Sequence, residues 1–144
     1  MKGPCLCEQR CGKMRQLGDS VGKKQILIVE DDRETQILLK KRLEGSGFQC
    51  ISAYTVESAL EMLGDTEPSL VILDLGLPKA SGIAFLTSVK QWLKPGRKVP
   101  PIIVLTGYND KEIVDMVLDK GASGFLSKPI DPNLLTLMVG DYAL

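Results

Sequence analysis

The chain has 144 residues, enough for one domain with a sizeable core. Its 18 Lys/Arg and 18 Asp/Glu cancel, yet residues 1–24 carry a net charge of +4 and the rest a net charge of −4. There is no histidine, which excludes a Ser-His-Asp triad, imidazole metal ligands and a phosphohistidine carried by this chain.

Residues 1–24 are rich in Gly and basic side chains, without sustained periodicity. A basic tail on an acidic body can bind nucleic acid or an anionic membrane. A solvated, flexible leader is the simpler reading and the one expected here. Cys5, Cys7 and Cys11 lie in this leader as C-x-C-x3-C. That spacing is not the usual zinc pairing, and no histidine completes a set, so free thiols in a reducing compartment are expected. Gly18-Asp19-Ser20-Val21-Gly22-Lys23 imitates a P-loop but has three residues between its glycines, no following Ser or Thr, and no preceding strand. No apolar run approaches a membrane span, and the N-terminus has no apolar signal region, so a cytoplasmic location is expected.

From residue 25 on, short apolar runs alternate with helical patterns. Gln25–Val29 reads as the first strand. Arg33–Glu44 reads as a helix, with Leu38, Leu39 and Leu43 at helical spacing and Gly45-Ser46-Gly47 as its stop. Phe48–Tyr54 is the second strand, with Cys50 as a small residue in or near the core. Thr55 caps a helix running through Leu63. Pro68 precedes the third strand, Ser69–Leu73. Ser81-Gly82 opens a helix with Ile83, Leu86, Val89 and Leu93 on one face, ended by Lys94-Pro95-Gly96. Pro100 and Pro101 lead into the fourth strand, Ile102–Leu105. Asn109 or Asp110 caps a helix through Lys120, and Gly121 stops it. Ser123–Ser127 is the fifth strand. Asp131-Pro132 starts a last helix, which runs to about Leu144. Five β-α units of this kind predict an α/β domain: a doubly wound, five-stranded parallel sheet with right-handed crossovers.

Polar residues gather where the apolar runs stop. Glu30-Asp31-Asp32 follows the first strand, Asp74 the third, Thr106-Gly107 the fourth and Lys128-Pro129 the fifth. In open parallel sheets, ligands bind outside the carboxyl ends of the strands. An acid triplet at a helix start is by itself a solvated capping sequence, and this accounts well for Asp32. Together with Asp74 the acids make a set suited to a divalent cation, since Mg2+ is held by one or two carboxylates plus waters and phosphate oxygens. The Thr106 hydroxyl can hydrogen-bond a phosphoryl oxygen, and Gly107 keeps a side chain out of its path. Most lysines are surface lysines; Lys128, at a strand end, offers a cation to a carboxylate or phosphate. The turn it occupies admits a cis Lys-Pro bond.

Ile26-Leu27-Ile28-Val29-Glu30-Asp31-Asp32, Asp74-Leu75-Gly76-Leu77-Pro78 with Gly82, Leu105-Thr106-Gly107, and Gly121 through Pro129 resemble the receiver domains of two-component response regulators. The likeness covers residues 25–143, in order and spacing. It implies a flavodoxin-like fold of five helices and sheet order 2-1-3-4-5, with residues 25–144 as the receiver domain. It implies that Asp74 is the phosphoacceptor, and that Asp31 and Asp74 ligate Mg2+ (or Mn2+) directly. Gly76 adds its backbone carbonyl and Glu30 acts through water. Lys128 pairs with Asp74 and then with the phosphoryl group, Thr106 follows that group inward, and Phe125 is the aromatic switch. Two positions depart from the usual pattern. Gly76 lacks a side chain that tunes phosphoryl lifetime, and Phe125 lacks a tyrosine hydroxyl.

The implied reaction is Mg2+-dependent phosphoryl transfer to Asp74 from a sensor histidine kinase or a histidine phosphotransfer protein. It makes the chain a signalling phosphoacceptor rather than an enzyme for external substrates. The readout surface is the fourth helix, fifth strand and fifth helix, with a homodimer through that surface as one use of it. Ile113, Val114, Met116, Val117 and Leu118 wrap widely round the fourth helix, which places Met116 partly exposed. The acidic body and the lack of a helix-turn-helix predict no direct nucleic-acid binding by this domain, and no membrane association is expected. The short last helix predicts a piece cut from a longer regulator; a stand-alone phosphorelay shuttle is the alternative. A Mg2+-dependent hydrolase with an Asp nucleophile, of the haloacid-dehalogenase type, needs a second Asp two residues on, where Gly76 stands. A receiver-like module that binds partners without phosphorylation has no reason to keep every required side chain.

Overall fold

The computed structural model describes residues 24–75, 79–107 and 111–143, with backbone alone at 79–81. The leader, apart from Lys24, lies outside the described residues, as do Gly76, Leu77, Pro78 and the two cap candidates Asn109 and Asp110. Ten elements alternate along the chain: β1 Gln25–Val29, α1 Arg33–Gly45, β2 Gln49–Ala53, α2 Val56–Asp65, β3 Leu70–Asp74, α3 Lys79–Trp92, β4 Ile102–Thr106, α4 Lys111–Asp119, β5 Gly124–Ser127 and α5 Pro132–Tyr142. The sheet order is β2-β1-β3-β4-β5 and every pairing is parallel, so the flavodoxin-like topology stands as expected.

The central strands are apolar throughout because helices cover both of their faces. Alternate residues feed two separate cores. Leu27, Val29, Val71, Leu73 and Val104 join Leu60 and Leu63 of α2, Phe85 and Val89 of α3, and Val117 of α4. Ile26, Ile28, Ile72, Ile103 and Leu105 join Leu39 and Leu43 of α1 and Leu135 and Val139 of α5. Each fully buried Leu, Ile or Phe contributes roughly 1.5–3 kcal/mol.

Local chemistry sets the helix ends. Asp32 caps α1 by accepting from the Thr35 backbone N–H, Thr55 caps α2 at Ser58, and Asp131 caps α5 at Asn133 with Pro132 just inside. Gly121, at φ +113°, ends α4 in the left-handed region.

Three expectations need correction. Leu38 is 68% exposed, and Gln36 takes the core position beside Leu39 and Leu43; the buried stripe runs 36, 39, 43, and Leu38 falls off it. Helix α3 begins at Lys79, before Ser81-Gly82. Gly82 is an interior residue there, and a Cβ on it would stand 2.7 Å from Leu75 Cδ2, so close approach rather than helix opening calls for glycine. Strands β3 and β4 each extend one residue further than their apolar runs, to Asp74 and Thr106.

Candidate functional site

Asp74 ends β3 with 2% of its surface exposed. A carboxylate so enclosed requires compensation. Lys128, the first residue after β5, provides it: its ammonium lies 2.8 Å from Asp74 Oδ1 and 3.0 Å from Oδ2. The Lys128 backbone N–H donates to the Thr106 carbonyl at 2.8 Å, which ties the end of β5 to the end of β4 and sets the lysine's launch point. The Lys128-Pro129 bond is cis. About a third of the Lys128 side chain is exposed, so the ion pair opens to solvent on one side.

Glu30 follows β1, next to β3 in the sheet, and is also 2% exposed. Its backbone N–H donates to Ala53 O at 3.0 Å, and its Oε2 accepts from the Asp32 N–H at 3.3 Å. Burial pushes the Glu30 carboxyl up to about 8; hydrogen bonding to Asp74 and that group's negative charge push the same way. A hydrogen bond with Asp31 adds to the rise, and the Asp32 N–H opposes it. Two carboxyl groups this close disfavour each other's charged form, so Glu30 takes up a proton more readily than a free glutamate does. Asp31 is exposed beside them. Asp32 is also exposed and is held below the usual carboxylate range, first by the Thr35 hydroxyl. It is a helix cap.

Thr106 is 1% exposed at the end of β4. Phe125 pairs with Val104 in the ladder and is half-buried against the α2–α3–α4 core. Met116 is half-buried on α4. A Cβ on Gly107 would meet nothing within 4 Å, so crowding does not require glycine at that step. Glu30, Asp74, Lys128 and, through Glu30, Asp31 therefore converge, with Thr106 joined through the Lys128 backbone. Gly76 lies outside the described residues.

The donors gathered here are all oxygen, which suits a hard cation such as Mg2+. Among the described residues no three His, Cys, Asp or Glu side chains form a complete metal-holding group.

One contributor escaped the sequence reading. Gln36 of α1 is 1% exposed, and its Nε2 donates to Ile28 O at 2.9 Å, Glu30 O at 3.1 Å and Ala53 O at 2.9 Å. The available signal was its spacing: residue 36 lies three before Leu39 and seven before Leu43.

The family model for the response regulator receiver domain matches residues 26–140. The chain is 38% identical over 104 residues to the KDP operon transcriptional regulatory protein KdpE of Escherichia coli, an alignment covering 72% of this chain and 44% of KdpE. It is 31% identical over 125 residues to an uncharacterized 14.6 kDa protein of Leptolyngbya boryana, covering 87% of this chain and 94% of that protein. The chain spans less than half the length of KdpE. Among solved structures, the signal receiver domain of a Luxo repressor protein from Vibrio parahaemolyticus superposes with a TM-score of 0.75 at 27% identity, covering 84% of this chain and 90% of that one. A CheY-like receiver domain from Methanospirillum hungatei does so with a TM-score of 0.74 at 28% identity, covering 85% and 94%. No helix among the described residues is long and apolar enough to cross a membrane. Strand order, the polar groups at the strand ends and these likenesses agree: the chain belongs to the response regulator receiver domain family.

Proposed function

We propose that Asp74 accepts a phosphoryl group from the phosphohistidine of a sensor histidine kinase or a histidine phosphotransfer protein. The observation that carries this reading is the enclosed Asp74 carboxylate, held through both oxygens by Lys128. An Asp74 oxygen forms the new bond to phosphorus as the phosphorus–nitrogen bond breaks, and the electron pair returns to the imidazole of the partner. Mg2+, when bound, supplies positive charge against the phosphoryl oxygens. Asp31 and Asp74 would hold it directly, Gly76 through its carbonyl and Glu30 through water; Mn2+ suits the same donors. Lys128 steadies the Asp74 carboxylate beforehand and pairs with the phosphoryl group afterwards. The Thr106 hydroxyl then turns toward that group, and Phe125 fills the space behind it.

This biases a two-state equilibrium read at the α4, β5 and α5 surface, where half-buried Met116 and exposed Leu118 offer apolar area to a partner or a second copy. The protein then acts as a cytoplasmic signalling phosphoacceptor and leaves nucleic acid to other parts of a regulator. The match over 94% of the Leptolyngbya boryana protein supports a second arrangement, a receiver that works as a phosphorelay shuttle. Incubation with acetyl phosphate and Mg2+ tests the central claim. One phosphoryl group per chain should appear and vanish in Asp74→Asn; stoichiometric labelling of that variant would refute the assignment.

A further inference from the structure

The buried carboxamide of Gln36 lies outside the phosphoryl chemistry just described and yet adjoins it. One nitrogen, Nε2, meets three backbone carbonyls: Ile28 O within β1, Ala53 O at the end of β2, and Glu30 O just past β1. Ala53 O also accepts the Glu30 N–H. Both backbone polar groups of Glu30 are therefore fixed, its N–H by Ala53 and its carbonyl by Gln36. The other end of the carboxamide is spent without return: Gln36 Oε1 is buried and meets no donor among the described residues. Turning the amide over would set that oxygen against three carbonyl oxygens, so the orientation is forced. An unsatisfied buried acceptor costs about 1–3 kcal/mol. A core position lined by apolar residues would ordinarily avoid that cost with Leu or Met, so the donor end has a use that offsets it.

We infer that Gln36 is a positioning residue for the acidic pair. Anchored in α1, it holds the backbone at the end of β1 so that the Glu30 carboxyl faces Asp74 and Asp31 leads into the site. It touches neither the phosphoryl group nor the cation. Outer partners of this kind, which orient ligands without contacting the ion, typically change metal affinity 10- to 100-fold when removed. The inference rests on the proposed cation site, and the experiment separates the two.

Mg2+ dissociation constants are measured by calorimetry on the purified full chain at fixed pH and ionic strength, beside urea midpoints. Wild-type protein that binds no Mg2+ overturns the cation site and this inference together. Given wild-type binding, Gln36→Met, equal in length but without a donor, should bind Mg2+ roughly tenfold or more weakly. Its acetyl phosphate labelling should need correspondingly more Mg2+ for half-maximal rate and approach the wild-type rate at saturation. Leu43→Ala, on the same face of α1 but away from the strand ends, should lower the urea midpoint and leave the Mg2+ constant unchanged. If Gln36→Met does not fold, Gln36→Ala, which admits water to the carbonyls, takes its place with the same expectation. A Gln36 variant that binds Mg2+ as tightly as wild type overturns the inference. So does a Leu43→Ala variant whose affinity falls as far as that of the Gln36 variant, because the effect would then be general destabilisation.

Discussion

Replacing Glu30 by Gln should stabilise the metal-free protein, and only above about pH 5. Glu30 is 2% exposed, and its carboxyl is pushed from 4.5 to about 8 by burial first and then by Asp74. Between those two values the unfolded chain has released a proton that the folded chain retains. Stability must therefore fall as pH rises through this interval, by about 1.4 kcal/mol per pH unit, and level off above it. The whole span amounts to roughly 3–5 kcal/mol, a large share of the 5–15 kcal/mol typical of a domain. Gln carries the same donor that protonated Glu30 offers Asp74, and it does not ionise. Glu30→Gln should match wild type near pH 4.5 and exceed it by several kcal/mol at pH 8. Urea unfolding followed by circular dichroism, with a chelator present and at half-unit pH steps, reads this directly. A wild-type profile flat from pH 4.5 to 8, or a variant profile parallel to it, would refute the argument. Added Mg2+ should restore wild-type stability at pH 8 and do much less for Glu30→Gln.

Lys128→Ala leaves the enclosed Asp74 carboxylate without its ammonium. Because Lys128 is about a third exposed, the loss should be about 1–3 kcal/mol, below the 3–5 of a fully buried pair, as read from the urea midpoint. The same variant should still label with acetyl phosphate while its change in α4 amide chemical shifts on phosphorylation shrinks markedly; a wild-type shift pattern would contradict the role given to Lys128. Phe85 is fully buried in the α2–α3–α4 core, and Phe85→Ala should lose about 3–5 kcal/mol; a loss under 1 kcal/mol in urea unfolding would show that the site collapses around the gap. The Cys50 thiol is 8% exposed and pushed up to about 12 by burial. Alkylation of the Cys50 peptide at pH 8, followed by mass spectrometry, should be negligible until urea unfolds the chain.

The polar tips were legible because each interrupts an apolar run abruptly, and Asp74 and Lys128 stand alone among residues that would otherwise end a strand without comment. Their convergence was legible once the runs were taken as parallel neighbours. Gln36 was not, since a periodicity scheme that assigns polar side chains to solvent passes over a carboxamide serving backbone carbonyls. Leu38 looked like core because it adjoins Leu39, and only the phase of the stripe, set by packing on β1 and β2, excludes it. Phe85 lies beside the face formed by Ile83, Leu86 and Val89 and is fully enclosed, because α3 presents more than one row to the sheet. The upward push on the Glu30 carboxyl depends on how two strand ends sit side by side, a placement that no single stretch of sequence encodes.

Alternation along a strand has a mechanical result at its tip. Glu30 and Asp74 continue the rows that face α1 and α5, as does Lys128 beyond Leu126, whereas Thr106 continues the row of Ile102 and Val104 that faces α2, α3 and α4. On the proposed function, a group attached to Asp74 would thus meet an ammonium arriving from one layer and a hydroxyl arriving from the other. The sheet insulates the two layers along its length and lets them share a load at one edge. Under the proposed chemistry, a movement of Thr106 would reach the α4 layer and a movement of Lys128 the α1 and α5 layer, so both sides of the sheet would take part in the response.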